Sequence, residues 1–83
     1  MAEAVQRAVE AGVAGARCRA VVEEGACGAG AEVLVVAEAF EGLPRLRRHQ
    51  LVQPLVFAAL PGLHKLTLRA LTPAEGAAQG AQL

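Results

Sequence analysis

Residues 31–70 read AEVLVVAEAFEGLPRLRRHQLVQPLVFAALPGLHKLTLRA, and the order of patterns in them decides the fold. Ala31-Glu32-Val33-Leu34-Val35-Val36-Ala37 is β-branched and almost continuously apolar, as in a strand covered on one face and largely covered on the other. Phe40-Glu41-Gly42-Leu43-Pro44 then turns the chain, and Pro44 suits the first turn of a helix running to about Leu60. In that helix Leu51, Leu55 and Ala59 form an apolar stripe at spacing four, with the arginines mostly off it. Pro54 breaks the pattern: an interior proline removes a hydrogen bond and crowds the carbonyl four residues back, at about 3 kcal/mol. A kink near Gln50 to Gln53, or a restart at Pro54, is therefore expected. Pro61-Gly62 stops the helix, after which His64, Leu66, Leu68 and Ala70 alternate with Lys65, Thr67 and Arg69, the period-two pattern of a strand with one wet face. A helix between two strands permits a parallel crossover.

Upstream, Val5, Val9 and Val13 at spacing four, with Glu3, Gln6, Arg7 and Glu10 elsewhere on the wheel, make a short amphipathic helix over about Ala2 to Ala14. Gly12 and Gly15 suit its end, and Cys18 to Glu23 reads as a short strand. Three glycines in Glu24 to Gly30 make a turn that carries Cys27 at its centre, so the strands on either side pair as a hairpin. The order is helix, strand, strand, helix, strand, an α+β fold with a three-stranded sheet and helices packed on one face. Residues 1–73 form the single domain. The tail from Ala74 to Leu83, made of Ala, Gly, Gln, one Glu and a final Leu, is expected to be disordered.

Composition narrows the chemistry. Eighty-three residues hold one small domain, and 19 of the apolar residues are Ala, so ten Val, eleven Leu and two Phe must do most of the packing. The sequence contains no Ser, Asp, Asn, Tyr or Trp, which removes serine nucleophiles, catalytic aspartates, Asp-based calcium loops and tyrosine acid/base groups. Cys18, Cys27, His49, His64, eight Glu and two Thr remain. Eight basic and eight acidic residues give zero net charge, so no global field draws the chain to nucleic acid or membrane. Two cysteines do not make the disulfide framework of a small secreted domain, and the N-terminal residues lack a charged-then-apolar layout. Reduced thiols and a cytoplasmic location, with the nucleus also open to the chain, are the expectation.

Neither Cys27 nor His64 is accompanied by a CxxC or HxxxH pair, and spacing alone leaves each open. Cys27 is an exposed loop thiol or a ligand. His64, on the parity of Leu66 and Leu68, is a core or rim histidine or a ligand. His49 reads as structural, with ligation the lesser alternative, Cys18 as a small buried or rim residue, and Arg45, Arg47 and Arg48 as a basic cluster on a solvated face.

Several motifs in fixed order nonetheless resemble one family. Arg48-His49-Gln50-Leu51-Val52, then Leu63-His64, then Leu71-Thr72-Pro73, with Ala26-Cys27-Gly28-Ala29 before Glu32-Val33, are similar to the BolA family, and to its short cytosolic and nuclear branch with a Cys in the hairpin loop. The resemblance covers about Cys18 to Pro73. The chain departs from the family pattern at Ala31, Gln53, Pro54 and Ala58-Ala59. The resemblance implies a BolA/KH-like fold and a protein, not an enzyme, that pairs with a monothiol glutaredoxin as a heterodimer or heterotrimer. The pair shares a 2Fe-2S cluster with glutathione, for cluster trafficking or iron sensing. It implies that Cys27 and His64 are this chain's ligands to the metal. Two protein ligands are too few to close such a site, so a partner is required.

The rival reading is a KH-like nucleic-acid-binding regulator. KH domains grip a backbone with a GxxG loop between two helices. Gly25-Ala26-Cys27-Gly28 falls between strands and Gly12-Val13-Ala14-Gly15 between helix and strand, and only Phe40 and Phe57 could stack on a base. Nucleic acid is therefore the lesser alternative, and membrane binding is not expected.

Overall fold

The computed structural model describes residues 2–25 and 28–80. Helix α1 (Ala2–Gly12) leads into strand β1 (Arg17–Gly25), which pairs antiparallel with β2 (Gly28–Val36). A single 3-10 turn (Glu38–Phe40) precedes helix α2 (Arg45–Ala59), which carries the chain back to β3 (Leu63–Leu71), parallel to β2. The sheet order is β1-β2-β3. This is the α+β arrangement expected, with both long helices on one face of the sheet.

Alternation along the strands explains that layering. Cys18 and Ala20 of β1 and Ala31, Val33 and Val35 of β2 are buried with Val5 and Val9 of α1 and Val52 and Val56 of α2. Arg17, Arg19, Val21 and Glu23 of β1 and Glu32 of β2, on the opposite parity, face water. Phe40 is fully enclosed and is the largest side chain at the centre of a core otherwise built from Val, Ala and Leu.

In α2 the buried row is Arg48, Val52 and Val56, whereas Leu51 is 50% exposed and Leu55 and Ala59 are half-buried. The apolar stripe thus sits one residue away from the expected one. The cause is Arg48, which heads the buried row and, being charged, hides it from any apolar pattern. Its Nε donates to the Leu43 carbonyl at 2.9 Å, and its Nη1 donates to the Ala70 carbonyl at 3.0 Å and to Glu75 Oε1. Arg48 therefore does not belong with Arg45 and Arg47 on the solvated face.

The helix does not restart at Pro54: it is continuous from Arg45 to Ala59, with the proline inside it. Pro54 and Gln50 both lie on the exposed side of the helix, where solvent rather than the core surrounds the turn that lacks the Pro54 N–H. The proline still carries a helix-interior penalty. Pro54→Ala is expected to raise the free energy of unfolding by about 1–3 kcal/mol, seen as a higher urea midpoint at unchanged slope.

The tail is corrected as well. Instead of ending order, Thr72-Pro73 opens a third helix, α3 (Pro73–Ala78). Thr72 Oγ1 accepts from the Glu75 amide at 3.2 Å and Glu75 Oε1 accepts from the Thr72 amide at 2.9 Å, a reciprocal capping box on the sequence Thr72-Pro73-Ala74-Glu75. Arg69 of β3 also bonds the Gln79 side chain just beyond the helix. The remainder of the expected disordered tail, residues 81–83, lies outside the described residues.

Candidate functional site

His64 occupies an irregular point of the sheet. Ala29 pairs with Leu63 and Gly30 with Lys65, so β3 passes two steps while β2 passes one, and His64 is the extra residue of a bulge. Leu63 beside it is buried and Leu66 beyond it is half-buried, so the strand is anchored on both sides while His64 is exposed. A bulge re-aims the side chain that it carries, and this one takes His64 off the parity that its spacing from Leu66 and Leu68 implied.

Gly28 supports the imidazole. Its φ is +114°, a backbone conformation that side chains disfavour, and a Cβ built there would lie 2.0 Å from His64 Cδ2 and 2.9 Å from Cγ and Nε2. The imidazole therefore lies directly over the backbone at the start of β2, its Cδ2 edge toward Gly28 and its Nδ1 edge away. No side-chain hydrogen bond from another described residue occupies the ring. Cys27, the other expected ligand, lies outside the described residues; its chain neighbour is this same Gly28.

The remaining candidates are elsewhere. His49 is half-buried in a groove with Arg45, Leu68, Arg69 and Ala70, beside the far half of β3. Leu68 is four residues along the strand from His64, about 13 Å at strand rise, so the two histidines do not converge. Cys18 is a free thiol opposite Val35, and of its two readings, buried or rim, the buried one holds. Burial first, and the Glu10 carboxylate second, push that thiol up to about 11, so it stays protonated and unreactive near neutral pH. Seven residues of strand, about 23 Å, separate Cys18 from Gly25 at the turn, well beyond the span of a disulfide. The two GxxG sequences lie where expected, one at the β1–β2 turn and one between α1 and β1. Among the described residues no group of three or more His, Cys, Asp or Glu side chains could hold a metal, and no helix is long and apolar enough to cross a membrane.

Sequence reasoning missed two residues that shape this region. Gly28 could have been suspected from its place in a glycine-rich turn, but only the bulge shows why it must lack a side chain. Arg48 opens the motif that carries the family resemblance, but nothing in an Arg-Leu-Arg-Arg run marks which guanidinium turns inward.

Comparison with known proteins identifies the family and the fold. Residues 13–75 match the family model for BolA-like proteins. BolA-like protein 2 of Homo sapiens is 41% identical over 51 residues, 61% of this chain and 59% of that protein. BolA-like protein 2 of Mus musculus is 41% identical over 49 residues, 59% of this chain and 57% of that protein. The chain thus aligns with less than two thirds of the length of either relative. A Bol-like protein from Babesia bovis has a similar structure, with a TM-score of 0.81 and 28% identity over 96% of this chain and 93% of that one. With the motif order, the sheet topology and a family match that spans most of the sequence, the chain belongs to the BolA family.

Proposed function

We propose that this chain is a non-enzymatic partner of a monothiol glutaredoxin, and that Cys27 and His64 are its ligands to a shared 2Fe-2S cluster in the cytoplasm or nucleus. The observation that carries the reading is the bulge that holds an exposed His64 imidazole over Gly28, the residue that follows Cys27 in the sequence. Thiolate and imidazole are both accepted by cluster iron, and replacing a thiolate by an imidazole raises the reduction potential. Two such donors leave the remaining positions to others, which a glutaredoxin thiolate and bound glutathione would fill. The cluster, when held, supplies the electron-transfer and delivery chemistry. The chain's own part is to fix the imidazole with its Nδ1 edge clear of the backbone.

Co-expression with a monothiol glutaredoxin tests this. The mixed complex is expected to show visible absorption and circular dichroism of a 2Fe-2S centre, and both His64→Ala and Cys27→Ser are expected to change that spectrum or abolish it. A cluster spectrum that His64→Ala leaves untouched would remove the ligand assignment. A salt-sensitive shift of a nucleic-acid probe at physiological salt would favour the KH-like rival instead.

A further inference from the structure

Strand β1 is an edge of the sheet, nine residues long, without proline and in unbroken register with β2. Natural edges of this length are normally short, bulged or covered. The opposite edge is served: the Ala70 carbonyl of β3 accepts from Arg48, and α3 folds back beside that strand. On β1, by contrast, the Cys18 amide turns away from β2 and donates to Glu10 Oε2 at 3.3 Å. Because backbone groups alternate along a strand, Ala20, Val22 and Glu24 also direct their N–H and C=O outward. A cleft of about 400 Å³ lined by Gln6, Glu10, Arg17, Cys18 and Arg19 runs beside this edge.

The outward charges are sorted by sign. Arg17 and Arg19 occupy the first half of β1 and Glu23 and Glu24 the second, with Val21, 47% exposed, between them. Neither Arg19 nor Glu23 has an ion-pair partner among the described residues. Rotating such a strand by 180° about Val21 places Arg19 opposite Glu23 twice and Val21 against itself, all on the open face of the sheet. A parallel pairing would set arginine on arginine and glutamate on glutamate.

We infer that the β1 edge pairs antiparallel with β1 of a second copy of this chain, about a two-fold axis at Val21, to make a six-stranded sheet. Ala20 and Val22 exchange N–H···O bonds with Val22 and Ala20 of the second copy, and the Arg19–Glu23 and Val21–Val21 pairs fall at the closely spaced, non-hydrogen-bonded positions. The Cys18 amide, already occupied by Glu10, ends the ladder on either side. The axis leaves each His64 at an opposite end of the sheet, so the pairing is independent of the cluster reading.

Sedimentation equilibrium of the full chain is expected to show a reversible dimer at sub-millimolar concentration that weakens as salt is raised. Glu23→Arg and Arg19→Glu, both at exposed positions, are each expected to weaken it by about tenfold or more, since two attractive pairs become repulsive. Far-UV circular dichroism checks that each variant is folded. Mixing the two variants in equal amounts restores both pairs in a heterodimer, and the double variant in one chain restores them in a homodimer. A native chain that stays monomeric over this range, a dimer indifferent to either charge reversal, or variants that fail to associate when mixed would each overturn the inference.

Discussion

Arg48→Met is expected to lower the stability of the fold by about 2–4 kcal/mol, a large share of what an 83-residue domain commands. The loss comes from the part-buried Leu43 carbonyl and the buried Ala70 carbonyl, both of which would lose a charged donor. Arg48→Lys is not a remedy, because an ammonium lacks the fork that reaches several acceptors in fixed directions. Urea unfolding measures the effect, with Arg47→Ala on the exposed face as a control that moves the midpoint little. Acid reports on the same contact. The hydrogen bond from Arg48, and after it the Thr72 amide, hold the Glu75 carboxyl below its ordinary 4.5. A carboxyl with a depressed folded value adds stability that is present above the ordinary value and is lost as pH falls through the folded one. The native chain is thus expected to weaken on acidification below 4.5, and Arg48→Met to lose less stability over that interval.

Gly28→Ala is the second substitution with a large expected effect, and it acts on the site more than on the fold. The left-handed φ costs a non-glycine residue about 1–3 kcal/mol, and the new methyl would fall on the His64 ring, which must swing away. In the free protein the His64 ring proton resonances are expected to shift while the far-UV spectrum is kept. On the reading proposed above, in which His64 is a cluster ligand, the same displacement is expected to weaken cluster retention with a monothiol glutaredoxin about 10–100-fold. Unmoved ring resonances would show that Gly28 does not cradle the imidazole, whatever the cluster does.

The strands were readable because their faces differ: Leu66, Leu68 and Ala70 alternate with Lys65, Thr67 and Arg69, and the structure keeps that alternation. Val5 and Val9 likewise marked the inner face of α1. In α2 the pattern misled, since the buried row begins with an arginine whose partners lie in the α2 approach, β3 and α3, three regions that no local window sees together. The third helix escaped notice because its stabilising force is a capping box and an ion pair, with almost no apolar volume to signal it. At the site, the family pattern pointed to His64, but its exposure follows from a bulge whose extra residue is counted only against another strand.

The bulge has a kinetic consequence. The β1–β2 hairpin closes over a short turn and α2 can form locally, whereas β2 meets β3 only after the whole α2 crossover has been laid down between them. Contacts of that separation carry a larger loop-closure entropy and form late. The approach of His64 to Gly28 is such a contact, so it belongs to the last stage of folding. A nascent or partly opened chain would therefore pair β1 with β2 while His64 is still away from Gly28, so the support of the imidazole is the part of this region that local opening removes first.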